Sequence, residues 1–137
     1  MGHQIRVTCE KANLKKVRAF VKACLASTPL PEATADLVVV AVDEVCANLM
    51  IHNHQCNPSQ HIEVRILPQA SAVAIEIVDQ GALFEMQAYQ PPSLETLISH
   101  QRPGGLGLIL VLRIMDAIEV RQEDGTNIYC LIKHYPE

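Results

Sequence analysis

A chain of 137 residues accommodates one domain and leaves no room for a second of ordinary size. With 49% hydrophobic and 19% charged residues it holds enough apolar material for a core, which excludes disorder as its general state. A net charge of -4 argues against a nucleic-acid surface, and the longest apolar runs, such as Leu37 to Val42 and Leu106 to Leu112, are too short to span a bilayer.

Ile5, Val7 and Cys9 alternate along Gln4 to Cys9, which predicts a short strand with one buried face. From Asn13 the period changes to three and four through Leu14, Val17, Phe20, Val21, Cys24 and Leu25. This spacing predicts an amphipathic helix with Asn13 as its N-cap, ending near Ser27. Thr28-Pro29-Leu30-Pro31 breaks it, and Pro31 can open a second helix running through Ala33 to about His54. The middle of that helix, Leu37 to Val42, is apolar all round and is expected to be well buried.

His61 to Leu67 and Ala72 to Val78 alternate about a turn at Pro68 to Ser71, the pattern of an antiparallel hairpin. Asp79 to Gly105 shows little periodicity, and so long a connection inside a compact domain suggests a lid or binding loop. Helix returns at Leu106 to Asp116, and Ala117 to Gln122 with Asn127 to Lys133 forms a last hairpin around Asp124-Gly125. This order predicts one α+β domain over residues 1–137, a two-layer sandwich with a mostly antiparallel sheet and helices on one face. Five cysteines without paired spacing, behind no signal peptide, point to reduced thiols in a cytoplasmic protein.

Three stretches interrupt the apolar patterning. Glu44, Asn48 and His52 are spaced by four on the second helix, where a carboxylate and an amide one turn apart can position a hydroxyl and offer oxygen to Mg²⁺. Taken alone, such a stripe is more often simply a solvated face. Asp79-Gln80-Gly81 ends an apolar strand; an Asp there can accept from a base amino group while glycine admits a ring close to the backbone, although an ordinary turn has the same residues. Pro103-Gly104-Gly105-Leu106-Gly107-Leu108 leads into a helix and can present backbone N–H groups to phosphates, or can serve as a plain hinge. Neither a P-loop nor a Rossmann fingerprint fits it, since no Lys-Ser or Lys-Thr follows and no strand directly precedes.

In this order the three stretches resemble the GHKL (Bergerat-fold) ATP-binding superfamily, and within it the small bacterial serine kinases that act as anti-sigma factors. Glu44 to His52 is similar to the N box, Asp79 to Phe84 to the G1 box, and Arg102 to Asp116, reading RPGGLGLILVLRIMD, to the G2 box of that subgroup. Leu83 stands where many members have a second glycine, and Asn53 where a glycine often follows the histidine.

The resemblance implies ATP and Mg²⁺, with Glu44 as general base, Asn48 on the metal and Asp79 on the adenine amino group. It further implies that His52, Gly81, Phe84, Gly104, Gly105, Leu106, Gly107, Leu108 and Thr126 contact nucleotide and that Arg102 reaches the terminal phosphate. The implied activity is serine/threonine phosphotransfer to a STAS-type anti-sigma-factor antagonist by a cytoplasmic homodimer that also sequesters a sigma factor, without nucleic-acid or membrane contact. A nucleotide-gated binding module lacking useful kinase activity is the alternative.

Other residues call for less. His52, His54, Cys56 and His61 are of zinc-binding types, but their spacing matches no common structural zinc pattern. Cys46 lies about 200° around the helix from Glu44 and belongs to the core rather than to chemistry. Lys15, Lys16, Arg18 and Lys22 make a basic face, solvated or open to an acidic partner.

Overall fold

The computed structural model describes residues 2–79 and 105–137, with side chains at all of these except 52, 53 and 105–108. Strand β1 (His3–Thr8) leads through a 3₁₀ turn at Lys11–Asn13 into α1 (Leu14–Leu25) and α2 (Glu32–Asn48), which a π turn at Leu49–Asn53 extends. The hairpin β2 (His61–Pro68) and β3 (Ala72–Asp79) follows. After it come α3 (Gly105–Ile114) and a second hairpin, β4 (Ala117–Glu123) with β5 (Thr126–His134). The expected binding loop falls on residues 80–104, outside the described residues.

All four strand pairings are antiparallel, in the order β1-β2-β3-β5-β4. Register puts Val64 opposite Ile77, Ile66 opposite Ile75, and Ile75 opposite Leu131, so one face of the sheet is continuously apolar. These side chains share one core with Val17, Val21 and Leu25 of α1 and Val38 and Val42 of α2. The helices therefore cover that face, and the two-layer α+β sandwich follows from the two periods meeting on one seam. The Asp124-Gly125 turn takes φ of 47° and 78°, the conformation a two-residue hairpin needs and the one glycine tolerates best.

The central strand β3 is buried along all eight residues, so its outer face is covered too. Glu76 stands on that outer face at 8% exposure, held by Arg121 at 2.8 Å and Arg65 at 3.6 Å. Both oxygens of this carboxylate are paired, which is the condition under which a charged group is tolerated away from water.

Three details correct the sequence expectations. Asn13 does not cap α1; it is helical itself, and its amide donates backwards to the Thr8 carbonyl and hydroxyl at 3.0 and 2.8 Å, while the 3₁₀ turn starts the helix. The Leu37 to Val42 stretch is not buried all round. Val38, Ala41 and Val42 face the sheet while Leu37 and Val40 stand 52% and 42% exposed, because a helix laid on one sheet buries a single stripe. The second helix keeps α geometry only to Asn48 and reaches Asn53 as a π turn. Two members of the basic face are spent on α2: Arg18 pairs with Asp43 at 2.9 Å and Lys22 with Asp36 at 3.4 Å. All five cysteines are free, and among the described residues no helix is long and apolar enough to cross a membrane.

Ile75 is fully buried at the centre of the seam. Ile75→Ala is expected to cost about 2–5 kcal/mol in urea unfolding, whereas Leu37→Ala on the exposed stripe stays within about 0.5 kcal/mol. Equal losses at both positions would contradict the packing described.

Candidate functional site

The C-terminal end of α2 carries Glu44 and Asn48, one turn apart and both half-buried. Asn48 Nδ2 donates to the Glu44 carbonyl at 2.9 Å. A carbonyl can only accept, so this bond identifies Nδ2 and fixes the amide's orientation, leaving Oδ1 as an acceptor that a cation can use. The π turn then closes on itself, with the His54 amide donating to the Leu49 carbonyl at 3.0 Å and the Cys56 amide to the Met50 carbonyl at 2.8 Å. Gln55 and Cys56 follow at φ of 51° and 56°. Two successive non-glycine residues in the left-handed region cost on the order of 1 kcal/mol each, and such strain, like a π turn, concentrates at working sites. Here it accompanies a buried His54, 5% exposed.

Asp79, at the end of β3, is 0% exposed. His54 Nε2 donates to its Oδ1, and the other ring nitrogen of His54 meets the Gln60 side-chain amide. On the neighbouring strand Asn127 is Asp79's partner in register, and it too is 0% exposed. Its Oδ1 accepts from Gln122 Nε2 at 3.2 Å. Among the described residues, the buried side-chain atoms without a hydrogen-bond partner are Asp79 Oδ2 and Asn127 Nδ2. One is an acceptor and the other a donor, on adjacent strands and the same face of the sheet. Each such atom costs about 1–3 kcal/mol if nothing meets it, so the pair marks a place for a ligand edge with a donor beside an acceptor.

Cys9 is buried nearby. Its thiol is pushed up to about 11 by burial first and then by the negative charges of Asp79 and Cys56. Cys46, fully buried as expected, is raised further, again chiefly by burial. These are neutral thiols, suited to packing and not to nucleophilic attack. His54 and His61 turn to different partners, Asp79 and Arg6, and so do not converge on one centre.

Of the residues singled out from sequence, Glu44, Asn48 and Asp79 lie on elements whose packing is described. Gly105, Leu106, Gly107 and Leu108 form the first turn of α3, which packs against α2. Gly81, Phe84, Arg102 and Gly104 fall outside the described residues, as does the side chain of His52. Thr126 is half-buried and, by strand alternation, points to the face opposite Asn127. Sequence reasoning missed Asn127 and Gln60, and took His54 only as a metal-ligand type. Asn127 had a usable signal, since it shares the inward parity of Tyr129 and Leu131 in β5.

A family model of the histidine kinase-like ATPase domain matches residues 7–133. The chain belongs to this family. This ATPase domain is similar to the serine-protein kinase RsbW of Bacillus licheniformis, with 29% identity over 93 residues covering 65% of this chain and 58% of the relative. It is likewise similar to the serine/threonine-protein kinase BtrW of Bordetella bronchiseptica, with 30% identity covering 71% of this chain and 68% of that one. The match thus spans little more than half the length of the RsbW relative. Among solved structures, the RsbU and RsbW domains of Rv1364c from Mycobacterium tuberculosis superpose with a TM-score of 0.67 at 16% identity, covering 99% of this chain and 33% of that one. A chain of the SiaB-SiaC complex from Pseudomonas aeruginosa gives 0.59 at 14% identity, covering 96% of this chain and 89% of that one. These likenesses show the fold.

The placement of the thiols has a direct consequence. A small alkylating reagent at about pH 8 is expected to leave Cys9 and Cys46 unmodified in the native domain and to modify both in urea, as mapped by mass spectrometry. Native Cys9 labelling at the denatured rate would contradict its burial.

Proposed function

We propose that this ATPase domain is an ATP-dependent serine/threonine kinase that phosphorylates a STAS-type anti-sigma-factor antagonist and also sequesters a sigma factor. The observation that carries the nucleotide part is the unmatched pair of buried atoms, Asp79 Oδ2 and Asn127 Nδ2. Adenine offers the complement, an exocyclic amino donor beside a ring-nitrogen acceptor. The substrate and partner assignments rest on the likeness to the serine kinases and on the box motifs, and so do a homodimer and action in the cytoplasm.

In this reading the base enters beside Asp79 and the triphosphate extends towards the end of α2 and the start of α3. Gly105 and Gly107 in the first turn of α3 let phosphate oxygens approach the backbone at the positive end of a helix. Asn48 Oδ1 suits Mg²⁺, a hard cation that takes oxygen ligands and keeps its remaining positions for water and phosphate. When bound, Mg²⁺ supplies neutralisation of the charge on the transferred phosphoryl group. Gly81, Phe84, His52, Gly104, Leu106 and Leu108 complete the proposed nucleotide contacts, and Arg102 the contact to the terminal phosphate.

Glu44 takes the proton from the substrate serine hydroxyl. The serine oxygen forms the bond to the γ-phosphorus as the bond from that phosphorus to the β–γ bridging oxygen breaks, and ADP leaves with the electron pair. Glu44 stands one helical turn from Asn48, so base and metal ligand are carried on one rigid element, which fixes their separation.

The test uses γ-labelled ATP and a candidate antagonist. Glu44→Ala is expected to retain ATP affinity within about threefold while phosphoserine formation falls by about 10²–10⁴-fold. Unchanged transfer would remove Glu44 from its role. ATP binding with no phosphoserine in the unsubstituted protein would replace the kinase by a nucleotide-gated binding module.

A further inference from the structure

His54 connects the two halves of the site. It ends the π turn that continues the Glu44 and Asn48 helix, its ring is buried, and it touches Asp79 on one side and Gln60 on the other. Because Asp79 Oδ1 only accepts, Nε2 carries a proton in either charge state of the ring. Gln60 serves both states. Its Oε1 accepts from Nδ1–H when the ring is charged, and its amide nitrogen, after a half-turn, donates to a bare Nδ1 when the ring is neutral. Gln60 is in turn anchored by its main chain, with its carbonyl accepting from the Cys9 amide at 2.9 Å and its own amide donating to the Asn57 carbonyl at 3.1 Å.

A carboxylate left to rotate offers its oxygens in several directions. Pinned at Oδ1, it offers Oδ2 alone, in one direction, beside Asn127 Nδ2. That matters for which purine fits. A 6-amino purine gives Oδ2 a donor, whereas a 6-oxo purine sets oxygen against oxygen unless the carboxylate swings to reach the ring N–H.

We propose that His54, backed by Gln60, is a positioning residue for base recognition, locking the Asp79 carboxylate so that Oδ2 and Asn127 Nδ2 form a fixed acceptor–donor pair selective for 6-amino purines. The inference rests on the nucleotide reading of Asp79 given above. A histidine that merely filled space would affect ATP and GTP alike; one that positions the carboxylate changes their ratio.

The test is calorimetric titration of the full chain with Mg-ATP, Mg-GTP and inorganic tripolyphosphate. His54→Ala is expected to weaken ATP binding about tenfold, lower the ATP:GTP preference, and leave tripolyphosphate within about twofold. His54→Gln keeps a donor for Oδ1 and is expected to recover ATP affinity to within about threefold of the unsubstituted protein. Gln60→Ala, a change at an exposed residue that leaves the imidazole in place, gives an intermediate loss and carries the test should His54→Ala not fold. Asp79→Ala is the reference. If it loses ATP while the His54 and Gln60 variants keep the original affinity and ratio, the positioning role is overturned and the nucleotide reading stands. If Asp79→Ala binds ATP normally, the nucleotide reading fails and the inference falls with it.

Discussion

Asp79 ends the central strand with its side chain wholly out of solvent, where a carboxylate lacking partners costs several kcal/mol. Much of the local structure serves that one group. His54 reaches Oδ1 from the end of a π turn, Gln60 backs His54, and Cys9, just past the end of β1, holds Gln60 by its main chain. The left-handed pair Gln55 and Cys56 lies between these two supports. Strain of on the order of 1 kcal/mol per residue is small beside a buried carboxylate without partners.

The same strand holds a second buried carboxylate, and the comparison separates structure from function. Glu76 lies on the outer face with Arg121 and Arg65 on its two oxygens, and asks for nothing more. Asp79, three residues on and on the helix-covered face, has one oxygen paired and one open, opposite an equally open amide of Asn127. Burial alone does not mark a site. Burial with a complementary pair left unmatched does, because that arrangement costs stability unless a ligand completes it.

Much of this was legible in the sequence because two periods dominate it. Alternation located both hairpins within a residue or two, and the three-four spacing placed α1 on the seam. The motifs placed Glu44, Asn48 and Asp79 for the same reason: polar residues interrupting an apolar pattern are conspicuous. What sequence did not disclose depends on tertiary context. The exposure of Leu37 and Val40 is decided by how much of a helix one sheet can cover, and composition is silent on that. The π turn inserts a residue that no propensity announces, and it decides where His54 lies. That Asn127 stands opposite Asp79 is decided by the register between β3 and β5, a long-range property.

The central claim is that the unmatched pair on β3 and β5 receives the base of a nucleotide. A crystal structure of the full chain with Mg²⁺ and a non-hydrolysable ATP analogue tests it most directly. The account predicts the exocyclic amino group within hydrogen-bond distance of Asp79 Oδ2, a ring nitrogen facing Asn127 Nδ2, and His54 still on Oδ1. A base bound elsewhere, with Asp79 and Asn127 closed on each other, would contradict it.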